Sequence, residues 1–537
     1  MFNKLTFISR GGGGRYAPAC LTLAVVLALL VLNGCNGRIN PTEPGNESGI
    51  PRMGQAFDDG ISWGTAYSLD SASTMWVTPT PSGIMPGDIA VEDEINQGNP
   101  ISPLVTAFVR HDNTQAASEI HLVLADLNSS LVLSDTFSAP QGLTGCPLTN
   151  CRHPVVEVTY SRPQEAMIGT IRVHVIWSQL TGTDPNEHWD LYYRYLQFPV
   201  YQGGPVWVPD WDETVRLPFC VPARDEIQPD ICVDAQGGDL FVIYNQHETV
   251  NPTVRFIMAA RHDYSAMLIP SQWDSPYPVA PLNTDEKGAS SIDAGILYHP
   301  NISPVREGRV AAVWTQRVLD QMWGDMRWQV FYNNWSPSGV ANPSSARRIT
   351  VGGEFARVNC LPKVDITCES SDIHQAVLTW FDCFQSGSEY SDFIVHMAAT
   401  PFPPPPAIPL IYTIQESGYN RCPDLACYQM SGMSEHWFAV SYYHSATGSE
   451  EQPWPVEVRS FSFYVDWQQM VAVISPEWQT SPDGNGLWSP GNPFTGSSLC
   501  LRDPSYSDPG GEPIYDVFGL GWVDEGYMAF LSQGVIP

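Results

Sequence analysis

The sequence predicts an all-β chain folded as a β-propeller, with seven four-stranded blades (six as the fallback count) closed by strands from both ends. Three observations predict it. A three-strand pattern recurs along the chain at spacings of about 60 to 80 residues. A Trp-x-x-Pro or Trp-x-Pro element follows several copies, at Trp76, Trp207, Trp273, Trp335 and Trp488. No long apolar pattern of period 3.6 interrupts the copies, so helix content is expected to be very low.

The first element of each copy is a short apolar strand headed by a proline: Pro86, Pro154, Pro229, Pro300, Pro362, Pro423 and, least regular, Pro504. Proline is tolerated there because the first residue of a strand need not donate to the ladder. The second elements are β-branched runs that end on an aromatic, such as "LFVIY" to Tyr244 and "VAAVW" to Trp314. The other five end at Phe108, Trp177, Trp380, Tyr442 and Trp522. Third elements start at Ile120, Asp190, Val254, Trp328, Asp392, Val456 and Tyr527. The Trp-led element supplies the fourth strand, giving the four-stranded unit of a propeller. A pair of β-sandwiches is the competing reading, but sandwiches do not repeat one motif seven times. The last unit has only three strands, and "ISWGTAYSLDSASTMWVTP" near the start has no blade before it. Joining the two removes a free edge and locks the ring.

Three regions are expected: residues 1–34 as a signal peptide, 35–54 as a tether and 55–537 as the propeller. Lys4, Arg10 and Arg15 precede the apolar run Cys20–Leu32, which is too short for a membrane span and suits a signal h-region. "LNGC", Leu32 to Cys35, resembles the lipobox of bacterial lipoproteins, although Asn33 is unusual within it. The resemblance implies lipidation at Cys35, and Asn36 in place of Asp implies escape from inner-membrane retention. The expected address is the cell envelope, at the outer membrane or the cell surface. The tether is rich in Pro, Gly and Asn. The formal net charge is −31, and loss of residues 1–34, with three basic residues and no acid, deepens it to −34. Such a surface argues against nucleic acid as a partner.

Ten cysteines remain beyond Cys20 and Cys35, an even number that suits disulfides in an exported chain. The close pairs are Cys146 with Cys151, Cys220 with Cys232, Cys360 with Cys368 and Cys422 with Cys427, although spacing does not fix connectivity. Cys383 and Cys500 are left over. The pair spacings do not match a zinc site, so neither a metal nor another cofactor is expected.

The order of these elements resembles the sialidase-type, BNR-repeat propellers. Their Asp boxes run roughly Ser-x-Asp-x-Gly-x-Thr-Trp. Ser481, Asp483 and Trp488 keep that register, with Asn485 and Leu487 departing from it. In that family the box is a structural turn. The family also implies an arginine clamp for a carboxylate, a Tyr–Glu nucleophile and an aspartic acid/base. Its Arg-Ile-Pro motif has no counterpart here, and "SRPQ" at Arg162 lacks the Ile, so the catalytic residues stay unknown. Gly-x-Ser-x-Gly, His-Glu-x-x-His and phosphate-loop signatures are also missing. The acidic groups Asp225–Glu226 and Glu92, Asp93 and Glu94 fit either a glycosidase or a cation, and equally solvated loop charge.

Two residues beyond each second-strand aromatic stands a polar residue: Arg110, Gln179, Gln246, Gln316, Asp382, His444 and Asp524. In an up-and-down blade all seven lie at one end of the ring, where they would frame a ligand face. The competing reading is that strand ends simply turn polar where loops meet water. The "PFPPPP" run, Pro401 to Pro406, reads as a stiff connector inside the fifth blade. The expected function is a lipid-anchored, non-enzymatic propeller that binds a glycan or an envelope protein, or serves as a structural envelope component. A sialidase-like glycosidase or a polysaccharide lyase is the alternative.

Overall fold

The computed structural model describes residues 62–63, 67–68, 89–91, 103–112, 117–126, 151–161, 169–182, 187–201, 204–205, 211–234, 239–248, 251–263, 272–283, 285–299, 303–319, 324–350, 358–366, 375–386, 389–401, 411–413, 419–429, 436–445, 455–466, 471–480, 498–501, 517–523 and 529–535. Their strands form seven antiparallel sheets, numbered here in chain order. Sheet 1 holds Ile89–Val91, Pro103–Asp112 and Ala117–Asp126. Sheet 2 runs Cys151–Ser161, Gly169–Thr181, His188–Tyr201 and Trp211–Arg216, with Gly204–Pro205 beside the third strand. Sheet 3 runs Arg224–Val233, Leu240–Glu248, Asn251–His262 and Tyr277–Pro278. Sheet 4 runs Lys287–His299, Ser303–Leu319, Met326–Trp335 and Arg347–Arg348. Sheet 5 runs Val358–Ile366, Gln375–Ser386, Glu389–Pro401 and Ile411–Thr413. Sheet 6 runs Tyr419–Gln429, His436–Ser445, Val456–Asp466 and Val471–Thr480. Sheet 7 holds Ser498–Leu501, Val517–Val523 and Ala529–Val535, and its last strand pairs with both Ser62–Trp63 and Tyr67–Ser68.

The first strand of each sheet packs against the first strand of the next, and that of sheet 7 packs against that of sheet 1. Meanders stacked side by side into a closed ring make a β-propeller. The N-terminal segment closes the last sheet, as the unpartnered copy required. Its Trp76 lies outside the described residues, as do residues 1–61, Cys35 among them.

The second strands of sheets 3 and 4 are buried on both faces because a sheet covers each. In sheet 3, Leu240, Val242 and Tyr244 join the core shared with sheet 2, while Phe241 and Ile243 join the core shared with sheet 4. In sheet 4, Val310, Ala312 and Trp314 face sheet 3, while Ala311 and Val313 face sheet 5. This is strand alternation of period two between two apolar walls. A fully buried side chain of this size contributes about 1.5–3 kcal/mol. Trp273 and Trp335, from the Trp-Pro elements, also pack between sheets: Trp273 meets Tyr193 edge-on at 5.5 Å, and Trp335 meets Tyr277 edge-on at 6.0 Å. They precede their fourth strands instead of leading them, and Trp335 closes the third strand of sheet 4.

The proline rule needs correction. Pro154, Pro229, Pro362 and Pro423 sit inside their first strands, three to five residues beyond the start, each at a break in ladder register. A β-bulge leaves one residue unpaired, so the missing N–H of proline costs the ladder nothing there. His153 and Gln228, which precede two of these prolines, take positive φ of 51° and 53°. In sheet 4 the first strand is Lys287–His299, and Pro300, which follows it, lies outside the described residues. The first strand of sheet 7 is Ser498–Leu501, ahead of Pro504.

One disulfide expectation is corrected as well: Cys220 and Cys232 are free thiols. Cys220 packs in the core between sheets 2 and 3 and Cys232 in the core between sheets 3 and 4, so sheet 3 stands between them. Cys422 and Cys427 lie on one strand, and five residues of strand span about 16 Å, beyond the ~7 Å limit on Cα separation in a disulfide. Cys146 and Cys368 lie outside the described residues.

Candidate functional site

Because neighbouring strands are antiparallel, these first strands start at the end of the ring where the second strands finish. There five of the seven sequence-predicted positions fall into register with the first strands. Gln179 faces Cys151, Gln246 faces Glu226, Gln316 faces Lys287, Asp382 faces Asn359 and His444 faces Asn420. Arg110 holds the same place near the end of its strand, opposite Glu119, and Asp524 lies outside the described residues.

Three of these side chains turn inward. Gln179, Gln246 and Gln316 are only 2–3% exposed. Gln179 Oε1 accepts the indole N–H of Trp177 at 3.2 Å, and Gln316 Oε1 accepts that of Trp314 at 3.3 Å. The Trp-x-Gln spacing is therefore a device for satisfying a buried indole. His444 Nδ1 lies 2.8 Å from Asn420 Oδ1. In sheet 3 the aromatic is Tyr244, and Gln246 bonds elsewhere. Its Nε2 donates to Glu226 Oε1 at 3.0 Å, and its Oε1 accepts from Arg224 Nη1 at 2.6 Å.

Glu226 opens onto a cluster at the junction of sheets 2 and 3. Its carboxylate, that of Asp190 and the Cys220 sulfur lie within 4.8 Å of one another, all buried. Arg216 forks onto Asp190, with Nε to Oδ2 at 2.6 Å and Nη2 to Oδ1 at 2.8 Å. Thr181 Oγ1 donates to the same Oδ2 at 2.7 Å, and His188 Nε2 stands 3.5 Å from it. Glu226 is fully buried, and its Oε2 has no hydrogen-bond partner. Burial, reinforced by the charge of Asp190, pushes its carboxyl up to about 8. A carboxyl that keeps its proton at neutral pH explains why Oε2 tolerates burial without a counter-charge.

The donor types Asp, Cys and Glu belong to metal chemistry, but this set does not suit an ion. The guanidinium fork occupies both Asp190 oxygens, Glu226 holds a proton, and burial drives the Cys220 thiol well above its ordinary value. Among the described residues the cluster acts instead as a neutral acid packed against an ion pair, tying sheet 2 to sheet 3.

Solvent meets this end of the ring at different residues. The Arg152 guanidinium lies 4.9 Å from the Trp189 ring centroid, and both side chains are half-buried. The Trp189 N–H donates to Asp225 Oδ1 at 2.8 Å, and Arg216 is exposed beside them. Asp225–Glu226 is thus no solvated loop charge. One residue orders the third strand of the neighbouring sheet and the other is sealed. Glu92, Asp93 and Glu94 lie outside the described residues. Sequence reasoning reached Gln246 and the Asp225–Glu226 pair but missed Trp189, Arg152 and Arg216. The one available signal was that "HWD" opens the third element at the same end of the ring as the predicted positions.

Comparison with protein-family models and with curated proteins returns no match. Solved structures with a similar trace include the hemagglutinin-neuraminidase ectodomain of parainfluenza virus 5, at 9% identity over 97% of this chain and 96% of that one, TM-score 0.36. An α-L-arabinanase of Penicillium chrysogenum aligns at 10% identity over 88% and 98%, TM-score 0.37. A sialidase of Streptococcus pneumoniae aligns at 8% identity over 82% and 84%, TM-score 0.37. Scores of this size carry no argument about activity, and the propeller assignment rests on the sheet order and the ring of inter-sheet contacts.

Proposed function

We propose that the chain is a seven-bladed ligand-binding propeller, held at the bacterial outer membrane or cell surface by a lipid on Cys35, and that its ligand is a glycan. One observation carries the non-enzymatic reading: the carboxyl pair best suited to acid–base work is sealed, with Glu226 and Asp190 at 0% and 1% exposure. A general acid must come within hydrogen-bond reach of its substrate. What solvent meets instead is an aromatic face flanked by guanidinium groups, which suits stacking and hydrogen bonding to a polar ring. The predicted positions Gln179, Gln246, Gln316 and His444 stiffen the rim that presents this face.

The test is a glycan-array experiment with the full chain, followed by the Trp189→Ala and Arg152→Ala variants. Selective binding that weakens about tenfold or more in these variants, with no cleavage of the bound glycan, supports the reading. A blank array rejects the glycan and moves the weight to an envelope protein, sought by crosslinking in intact cells.

The glycosidase alternative draws on the raised Glu226 carboxyl beside Asp190, since an acid that stays protonated to about 8 is what glycoside cleavage uses. Cleavage of an array glycan that disappears in Glu226→Gln while binding persists would establish it.

A further inference from the structure

We infer that the axis of the propeller is a proton-operated clasp, in which Asp293 and Asp365 share one proton across the junction of sheets 4 and 5 and so hold the inner strands of sheets 4, 5 and 6 together. The geometry comes from a repeated inter-sheet bond. The first strand of each sheet is an edge strand whose outer N–H groups lack a ladder partner. Four of these groups are satisfied by an aspartate from the preceding sheet. Asp230 Oδ2 accepts from Ile292 N at 3.1 Å, and Asp293 Oδ2 from Ile366 N at 2.6 Å. Asp365 Oδ2 accepts from Cys427 N at 2.6 Å, and Asp424 Oδ2 from Leu499 N at 2.8 Å. The chain thus walks round its axis from sheet 3 to sheet 7 on one carboxylate per junction, each a charge-assisted bond to backbone.

Among the described junctions, that of sheets 4 and 5 stands apart because its two carboxyls also come within hydrogen-bonding reach of each other. Two carboxylates cannot share a hydrogen bond without a proton. With it, one O–H donates across the junction while both Oδ2 atoms remain free to accept backbone N–H. Without it, two like charges face each other beside two more. Asp230 of sheet 3 adds to the repulsion at Asp293, and Asp424 stands on sheet 6. Among the described groups the nearby cation is Lys363, whose Nζ lies 3.8 Å from Asp424 Oδ1. Desolvation at the axis and this crowding of acids push Asp293, half-buried like Asp365, up to about 6, and Asp365 well above the usual carboxylate range. A carboxyl raised above its unfolded value stabilises the fold fully below that value. The contribution is lost as pH rises through the folded one, here between about 4 and 6 for Asp293 and higher for its partner.

Amide exchange on the full chain reads the clasp directly. Protection factors, corrected for the intrinsic pH dependence of exchange, are measured for Ile366 and Cys427 at pH 4.5 and 7.5, with Val242 in the core of sheet 3 as reference. The expected result is a loss of about 10- to 100-fold at Ile366 and Cys427 relative to Val242. Asp365→Asn keeps both a donor and an acceptor in place without the titration, and it should cut that loss to less than about threefold. The idea is overturned if the two amides follow Val242 across the pH range, or if Asp365→Asn shows the same loss as the parent. Should Asp365→Asn fail to fold, Asp293→Asn offers the same comparison from the other side of the pair. The parent exchange data decide the matter even if neither variant folds.

Discussion

Sheets 3 and 4 place opposite charges in the same slot. Glu226 and Lys287 both stand opposite a glutamine at the end of the second strand, and both are fully buried. Burial moves each toward neutrality from its own side: Glu226 is raised to about 8 and Lys287 lowered to about 8. What differs is the lining. Around Glu226 stand Gln246 and the Arg216–Asp190 pair. Around Lys287 the loop ahead of the strand turns in three acceptors, Asn283 O, Asn283 Oδ1 and Asp285 O, at 3.2, 2.8 and 3.1 Å. The scaffold fixes a position, and the preceding loop decides which charge that position tolerates.

The sharpest way to break this comparison is to exchange the residues singly. Glu226→Lys sets an ammonium against Arg216 and Arg224, and Lys287→Glu sets a carboxylate against three carbonyl-type oxygens. Each is expected to cost about 3–5 kcal/mol in urea unfolding, because each leaves a buried charge uncompensated. A loss below about 1 kcal/mol in either would show that the slots are interchangeable.

The pH dependence sharpens the contrast. A carboxyl raised from 4.5 to about 8 stabilises below 4.5, and that contribution is lost as pH rises through about 8. A lysine lowered from 10.5 to about 8 stabilises above 10.5, and that contribution is lost as pH falls through about 8. Glu226→Gln should therefore flatten the stability curve between pH 4.5 and 8, and Lys287→Met between pH 8 and 10.5. Each flattening is at most about 1.4 kcal/mol per pH unit. Chemical denaturation of the parent and both variants across that range checks the signs.

Gly288 follows Lys287 where sheet 3 has Ile227. A Cβ at Gly288 would clash with Thr315 Oγ1 and lie 3.2 Å from the Trp328 ring. Gly288→Ala is expected to cost about 1–3 kcal/mol by overpacking, read as a lower urea midpoint. The smallest effect belongs to Arg317, which is 46% exposed and 3.4 Å from Glu286. Arg317→Ala should change stability by less than about 1 kcal/mol, with the difference vanishing in high salt.

These slots show where the sequence was readable. The second strands were legible because both faces of "LFVIY" and "VAAVW" are buried, and a continuous apolar run is a strong signal. The first strands were half legible. Pro229 and Pro362 marked them, but as bulges inside the strand, and in sheet 4 the proline signal pointed past the first strand because its bulge, at Gly288 and Ala289, has no proline. The polar residue two places past each aromatic was found, but its orientation was not. Trp-x-Gln turns inward because an indole N–H must be satisfied, and that need becomes visible only once the tryptophan is known to be buried. The acid cluster lay beyond sequence because Asp190, Arg216 and Glu226 meet only when sheets 2 and 3 stack. The pairing of Cys220 with Cys232 failed because spacing along the chain says nothing about which core each thiol enters.

Sheet 7 ties residues 62–68 to residues 529–535, so the two halves of one hydrogen-bonded unit are made at opposite ends of synthesis. The earlier sheets can form by local pairing of neighbouring hairpins as the chain emerges. The last must wait for a loop closure that spans nearly the whole polypeptide, the kind of contact that slows folding most. Until then the row of stacked sheets is open at both ends, each end an uncovered sheet face. The interval before closure is when the chain is most exposed to aggregation, and a helper that shields those faces would act in that interval.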